Sequence, residues 1–167
     1  ALDGLLAAGG VAPVRVARIA AVALLAAALY ATAFEKAKVR MTNVDLVARA
    51  IEQRARPRDL VVVNQWYMGV SFHRYYQGTT RWMTIPRIAD HRMHRFDLVK
   101  EKMRMPDPLR DVRRVISRTL SRGGRVWFVG YLQMPPDGKP SWLPPAPNRR
   151  WGWLDGPYST AWTQQVS

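Results

Sequence analysis

The stretch Asp59-Leu60-Val61-Val62-Val63-Asn64 determines how the rest of the chain is interpreted. Its four central residues are apolar, and its three valines are β-branched, which favours a strand over a helix. A run without polar alternation is typical of a strand that is covered on both faces, as in a parallel sheet. A second run of this kind occupies residues 125–130. Because helical patterns separate the two runs, the sequence predicts a small three-layer α/β domain with a short, mostly parallel sheet.

Further elements around these strands are predicted from caps and apolar spacing. A helix is expected at residues 43–54 with Asn43 as its N-cap, and a second at residues 65–77. A short third helix, ending near residue 103, should be capped by Asp97. Residues 79–86 are expected to form a middle or edge strand, since a proline closes them.

The most distinct helix signal begins at Asp107, a natural N-cap followed by Pro108 in the first turn. Its predicted buried stripe consists of Leu109, Val112, Ile116 and Leu120. From residue 134 onward the composition changes, because frequent prolines prevent regular structure and tryptophans stand between them. Only residues 158–165, after an Asp-Gly-Pro turn, are predicted to form a final short helix.

The residues 19–34 carry no charge and are bounded by charged residues, which is typical of a membrane-spanning helix. A full span needs about 20 residues, so residues 14–17 extend it if Arg15 and Arg18 reach toward lipid headgroups. Two other interpretations stay open, a secretory signal and a buried alanine-rich helix. The membrane helix and the secretory signal both place the following domain outside the cytoplasm.

The charge balance of the chain is strongly basic. Over 167 residues the formal net charge is +14, and arginine supplies most of it. Because guanidinium groups bind phosphate and carboxylate through forked N–H donors, this indicates an anionic partner, although the charges could also be simply solvated. No nucleic-acid-binding motif is present, so we expect no nucleic-acid partner. The chain has no cysteine, which excludes disulfides and thiolate metal sites.

Six residues in two segments are predicted to bind substrate. The first segment directly follows the strand at residues 59–64, where open α/β sheets place ligands. The second is the polar stretch 90–97, and we expect the two to converge on one anion-accepting surface facing the membrane. The aromatic residues of the first segment could instead belong to the core. The six residues are Asn64, Trp66, Tyr67, His91, Arg92 and His94.

Catalytic and cofactor signatures are not found. His91 and His94 with a nearby carboxylate could bind zinc, but Arg92 and Arg95 would repel a dication, so no metal site is predicted. An ion-pair network or an anion site is the preferred interpretation of residues 90–97. No nucleotide-binding loop, Ser-His-Asp arrangement or pair of carboxylates in an apolar setting is evident. We therefore predict no cofactor and no catalytic residue, and His73 is expected to have no function.

The order of the motifs resembles a known family. A membrane helix precedes Asp59-Leu-Val-Val-Val-Asn-Gln-Trp-Tyr67 and Phe72-His-Arg-Tyr-Tyr-Gln-Gly78. Asp90-His-Arg-Met-His-Arg-Phe-Asp-Leu98 and Gly124-Arg-Val-Trp-Phe-Val-Gly130 follow. From about residue 14 to the end, this pattern resembles the C-terminal region of bacterial polytopic GT-C type glycosyltransferases. These enzymes are similar to protein O-mannosyltransferases and lipid A aminoarabinose transferase.

The resemblance implies an integral membrane enzyme that moves a sugar from a polyprenyl-phosphate donor onto a lipid, glycan or protein acceptor. The implied partners are membrane lipid and that polyprenyl-phosphate-linked sugar donor. The implied location is the inner or plasma membrane, with the C-terminal domain on the extracytoplasmic (periplasmic) side. The family's catalytic carboxylates lie in an early extracytoplasmic loop with no counterpart in this chain, so the fragment alone is not expected to be active.

The implied organisation has three parts. Residues 1–36 are the last transmembrane helix, residues 37–133 are the extracytoplasmic α/β domain, and residues 134–167 are a segment rich in proline and tryptophan. The chain opens with alanine, and we expect it to be a fragment of something longer. The alternative function is a membrane-anchored basic α/β module that binds anionic lipid or polymer without being an enzyme.

Overall fold

The computed structural model describes residues 11–38, 42–135 and 137–166. The chain divides into two units, Ala1–Thr42 and Asn43–Ser167. The first ten positions of the predicted membrane segment 1–36 lie outside the described residues. The same holds for residues 39–41 of the predicted domain 37–133 and for two residues of the C-terminal segment. Each unit is described by itself below.

The first unit contains helix α1 (Val11–Lys38). Within it, Val14–Ala37 is long and apolar enough to cross a membrane, by length and composition. The side chains of residues 14–37 are exposed. A continuous exposed apolar surface is unusual for a protein in water and suits a lipid environment. A membrane helix and a secretory signal share these properties, whereas a core helix would be buried.

The second unit contains a sheet of three parallel strands in the order β2-β1-β3. The strands are β1 (Leu60–Asn64), β2 (Arg81–Thr84) and β3 (Val126–Gly130). β1 is central and buried along its whole length, as its unbroken apolar run predicts. β2 is an edge strand, which decides between the two positions expected for residues 79–86. The predicted α/β class with a short parallel sheet is confirmed.

Helices cover both faces of the sheet because successive side chains of β1 point to opposite sides. Val61 and Val63 belong to a buried cluster with two helices, and Leu60 and Val62 belong to a second cluster with three. The helices of the first cluster are α2 (Val44–Arg54) and α3 (Met68–Tyr75). Those of the second are α4 (Phe96–Arg104), α5 (Arg110–Ser121) and α6 (Asp155–Gln164).

Two predicted N-caps are wrong. α5 begins at Arg110 with Leu109 in the N-cap position, and the Asp107 carboxylate instead accepts a hydrogen bond from Arg113 Nη2 at 2.6 Å. α4 begins at Phe96, which places Asp97 inside its first turn. In both cases an arginine side chain binds the aspartate that the sequence had assigned to a helix terminus, because charge-assisted hydrogen bonds are stronger than neutral ones.

The packing of α5 and the lengths of α3 and α6 also differ from the expectation. Val115 is buried in α5, whereas Leu120, in the last turn, is 55% exposed. α3 is shorter than residues 65–77 because a hydrogen-bonded turn precedes it. α6 starts three residues before the predicted position. Pro157 is tolerated there because first-turn N–H groups have no partner within the helix.

Candidate functional site

A cleft of about 620 Å³ lies beside the edge strand β2 and is called the β2 cleft below. His73 of α3 lines one side, and Trp82 and Met83 come from β2. Residues 87–92, which follow the strand, line the other side. Because no strand pairs with the outer edge of β2 in the described sheet, Trp82 remains half-buried beside open space. Two of the predicted substrate-binding residues therefore line this cleft.

Three rings form a row along the cleft, which we call the ring row: His73, Trp82 and His91. The ring centroids of Trp82 and His91 are 4.6 Å apart, and those of His73 and Trp82 are 6.1 Å apart. Gly69 of α3 makes the approach of His91 possible. A Cβ at that position would lie 2.6 Å from both His91 Nδ1 and Thr84 Cγ2. The backbone of α3 therefore helps to fix the row.

Burial favours the neutral form of the His91 imidazole. Burial lowers the pKa of its imidazole below the ordinary value, and the neighbouring His73 acts in the same direction. A hydrogen bond with the backbone of Ile88 and the charge of Asp90 raise the pKa, but they do not outweigh burial. A neutral imidazole has one donor and one acceptor nitrogen, so His91 can bind hydroxyl groups at neutral pH.

The arginines of the stretch 90–97 are bound to aspartates. Asp90 accepts hydrogen bonds from Arg92 Nε at 3.1 Å, from Arg92 Nη2 at 3.0 Å and from Arg95 Nη1 at 3.0 Å. Arg95 also donates from Nε to Asp97 at 2.9 Å. Hydrogen bonds from Arg92 hold the pKa of Asp90 well below its usual range. The stretch thus contains the ion-pair network that was one of its two interpretations.

Arg87 is the cation of the β2 cleft that stands apart from this network. Its side chain is exposed, and within the described parts of the chain it has neither a hydrogen bond nor an ion pair. A guanidinium in this state keeps its forked donors available for a phosphate or a carboxylate. Arg87 is therefore better placed than Arg92 to bind an anion in the cleft.

Three other predicted residues, Trp66, Tyr67 and His94, lie together in an aromatic cluster with Phe96. Ring centroids are 5.9 Å apart for Trp66 and Tyr67, 6.0 Å for Trp66 and His94, and 5.1 Å for Trp66 and Phe96. Trp66 is 2% exposed, and its Nε1 has no hydrogen-bond partner in the described chain. The segments 64–67 and 90–97 do meet here, through ring packing rather than through charge.

Asn64 lies at the carboxyl end of β1, but both polar atoms of its side chain form hydrogen bonds within the protein. Its Nδ2 donates to the carbonyl oxygen of Tyr131, and its Oδ1 accepts a hydrogen bond from Thr163 of α6 at 3.1 Å. Asn64 is 2% exposed. α6 therefore packs at the strand end where open α/β sheets usually bind ligands. The six predicted residues are divided among three locations, and of the six, His91 and Arg92 line the β2 cleft.

The chemistry of the β2 cleft is that of a binding site. Within residues 11–38, 42–135 and 137–166, no group of three or more His, Asp or Glu side chains is arranged to hold a metal ion. The carboxylate in the cleft wall, Asp90, is neutralised by two arginines. What remains available is a neutral imidazole, apolar ring surface and the guanidinium of Arg87. Such a set suits a ligand with hydroxyl groups and a negative charge.

Among the cleft residues that were not predicted to bind substrate are three with a ring or a guanidinium: His73, Trp82 and Arg87. His73 was expected to have no function, yet one helical turn after Gly69 it lines the same cleft as His91. The signal available for Trp82 was its place in a strand that ends in proline, since such strands lie at sheet edges. Arg87 follows that proline directly, and nothing in the local sequence distinguishes it from the other arginines.

Comparisons with known proteins give no family assignment. No protein-family model matches the chain, and neither a curated protein nor a solved structure matches it significantly.

Proposed function

We propose that this chain is the last membrane-spanning helix and the C-terminal extracytoplasmic domain of a polytopic glycosyltransferase. The enzyme transfers a sugar from a polyprenyl-phosphate donor to a lipid, glycan or protein acceptor. The observation that carries the proposal is the β2 cleft, in which the ring row lies beside the unpaired guanidinium of Arg87. A sugar phosphate combines an apolar ring face, hydroxyl groups and a phosphate, and the cleft offers a partner for each.

Each group in the cleft has a distinct role in this proposal. The exposed part of the ring row packs against the C–H face of the sugar. Neutral His91 donates to one hydroxyl and accepts from another. Arg87 binds the phosphate through two parallel N–H bonds. Arg92 needs no ligand to balance its charge, because Asp90 already does so.

The location follows from the same proposal. α1 anchors the domain in the plasma (inner) membrane, and the domain lies on the extracytoplasmic side. The catalytic carboxylates belong to the membrane part of the enzyme that precedes this domain, so the domain binds substrate and performs no bond cleavage. Anchoring is tested by alkaline carbonate extraction. The full chain should remain with the membranes, whereas a chain beginning at Glu35 should be extracted. Extraction of the full chain would contradict the anchor.

The binding role is tested in the full-length enzyme. We expect Arg87→Gln to raise the apparent KM for the polyprenyl-phosphate sugar by about tenfold, because one charge-assisted phosphate contact is lost. The matched control is Arg74→Gln, which removes the same charge from an exposed position of α3 that does not line the cleft. The melting temperature of both variants should equal that of the unmodified enzyme.

Two results would overturn this function. One is an unchanged KM and kcat in both Arg87→Gln and His91→Gln, which would remove the cleft from substrate binding. The other is a gene whose upstream reading frame encodes no further hydrophobic spans, since a polytopic enzyme requires several. In that case the chain is a membrane-anchored basic module for an anionic lipid or polymer, and it binds anionic vesicles without any transfer of sugar.

A further inference from the structure

A second basic cleft lies at the opposite end of the sheet. It has a volume of about 240 Å³ and is lined by residues at the amino-terminal ends of β1 and β2 and by the last turn of α5. Four of the lining residues are arginines: Arg58, Arg81, Arg118 and Arg122. We call this set the amino-end cleft. The four come from three separate segments, so the fold and not local sequence brings them together.

The close approach of two turns builds this arrangement. Gly124, between α5 and β3, lies against the backbone of Arg58, and a Cβ on Gly124 would be 2.4 Å from the Arg58 carbonyl oxygen. The turn before β1 is thereby packed onto the end of α5. This contact places Arg58 in the same cleft as Arg118 and Arg122. Arg81, the first residue of β2, completes it from the edge of the sheet.

The carboxylate that lines the cleft does not neutralise these arginines. Asp59 is buried, and its oxygens accept hydrogen bonds from the backbone N–H groups of Arg56 and Arg125, from the Arg125 side chain and from Trp127 Nε1. None of the four cleft arginines has an ion pair or side-chain hydrogen bond in the described parts of the chain. The cleft therefore concentrates positive charge with no bound counter-charge.

A purely structural explanation covers only part of the set. Arginines in the last turn of a helix are favoured by the partial negative charge of its carboxyl end, about half an elementary charge. This accounts for Arg118 and Arg122. It does not account for Arg58 and Arg81, which belong to other segments and add repulsion. A cleft lined by charges of one sign focuses the field and attracts an oppositely charged ligand.

We propose that the amino-end cleft is a binding site for a phosphate-bearing anion, with the diphosphate group as the preferred chemistry. Four forked guanidinium groups can bind several phosphate oxygens at once. The cleft is smaller than the roughly 300 Å³ of ordinary small-molecule pockets, which favours a compact anion over a bulky ligand. The source of the group is either a free diphosphate or the headgroup of a lipid. The proposal does not depend on glycosyl transfer.

The test uses the full chain in neutral detergent and isothermal titration calorimetry. The probes are inorganic pyrophosphate and the short-chain lipid dihexanoyl-phosphatidylglycerol. Arg118→Gln/Arg122→Gln should weaken binding of the preferred probe by at least about tenfold, because two charge-assisted contacts are lost. Arg110→Gln/Arg114→Gln is the matched control, since it removes two exposed charges from the same helix outside the cleft. Its affinity should change by less than about twofold.

Each outcome either tests whether the site exists or identifies the source of the bound phosphate group. Loss of pyrophosphate binding in the cleft variant alone, with lipid binding no tighter, identifies a free diphosphate. Loss of lipid binding in that variant, with pyrophosphate competing, identifies a headgroup. Equal losses in the cleft and control variants, or no saturable binding of either probe, overturn the site. If the first variant does not fold, Arg58→Gln/Arg81→Gln tests the same prediction from different elements.

Discussion

The two ends of the sheet differ in how their arginines and aspartates are paired. At the amino-terminal end, the buried carboxylate of Asp59 is bound by Arg125 and Trp127, and the four arginines of the amino-end cleft have no carboxylate partner. At the carboxyl end, the arginines of the stretch 90–97 are bound by Asp90 and Asp97, and α6 occupies the end of β1. At the amino-terminal end four arginines besides Arg125 thus have no carboxylate partner, whereas Arg92 and Arg95 at the carboxyl end are both paired.

This difference shows that net charge alone does not locate a binding site in a basic protein. The stretch 90–97 has the densest polar sequence, but its two arginines and two aspartates cancel. The arginines of the amino-end cleft are scattered in sequence and stand next to no aspartate that is free to neutralise them. The pairing of individual guanidinium groups is more informative than the net charge. Only an unpaired guanidinium can bind an external anion without first breaking an ion pair.

The largest expected effect at the amino-terminal end follows from Asp59→Asn. The Asp59 side chain is 1% exposed, and an asparagine cannot accept all of its hydrogen bonds. Burial alone would raise the pKa of Asp59, but the hydrogen bonds from Trp127 and Arg125 lower it further than that. We expect the variant to lose about 3 kcal/mol of unfolding free energy, the lower limit for a broken buried pair, because Arg125 is half exposed.

The matched comparison for that variant is Asp97→Asn at the carboxyl end. Asp97 also pairs with an arginine, but both side chains are reached by solvent, so the loss should be much smaller. Chemical denaturation of the full chain in detergent, followed by tryptophan near-ultraviolet circular dichroism, measures both. Equal losses in Asp59→Asn and Asp97→Asn would contradict the distinction between the two ends.

The second effect concerns the packing of α6 at the carboxyl end. Thr163→Val removes the hydroxyl that lies 3.1 Å from Asn64 Oδ1 and 2.8 Å from the Ser159 carbonyl oxygen, and it leaves the buried amide oxygen of Asn64 without this donor. We expect a loss of about 2 kcal/mol in unfolding free energy, the cost of an unsatisfied buried acceptor. Thr163→Ser keeps the hydroxyl and should lose clearly less. If the valine and serine variants are equally stable, the hydrogen bond does not hold α6 in place.

The sequence predicts the fold class well because a strand that is buried on both faces has an unbroken apolar sequence. The unbroken run in β1 gives the parallel sheet and its central strand, and helix positions follow from apolar spacing. Helix starts are predicted less well. Asp97 and Asp107 look like caps by residue type, but Asp97 binds Arg95, two residues earlier, and Asp107 binds Arg113, six residues later. Residue type alone does not show which of these partners each carboxylate takes.

The candidate site is predicted only in part for a similar reason. His91 and Arg92 are recognised because they stand in a dense local motif, and both line the β2 cleft. His73 and Trp82 reach the cleft from α3 and β2, which only the tertiary structure juxtaposes. Asn64 has the right position at a strand end, but nothing local indicates that α6, 99 residues later, binds its side chain.

The third prediction concerns a variant that leaves arginines at the carboxyl end without their carboxylate partner, as at the amino-terminal end. Asp90→Asn removes the carboxylate shared by Arg92 and Arg95 and frees donors of both. In the Arg118→Gln/Arg122→Gln background, this change should restore pyrophosphate binding, with affinity rising by about threefold to tenfold. Glu101→Gln removes the same charge from an exposed position of α4 that binds no arginine in the described parts of the chain, and it serves as the control. If Asp90→Asn and Glu101→Gln raise the affinity equally, the gain reflects net charge and not freed guanidinium donors.

The smallest expected effect is a response to mild acid that only the β2 cleft should give. The pKa of His91 is lowered in the folded protein, first by burial and then by His73, so the unfolded chain binds a proton at a higher pH than the folded chain does. Stability should therefore be constant above the ordinary histidine pKa of about 6.5 and fall as the pH decreases below it.

His91→Gln should flatten this decline in melting temperature, whereas Arg74→Gln, outside the cleft, should keep it. The amino-end cleft contains only arginines as cations, which stay charged throughout this range. An unchanged slope in His91→Gln would mean that burial in the cleft does not lower the pKa of His91.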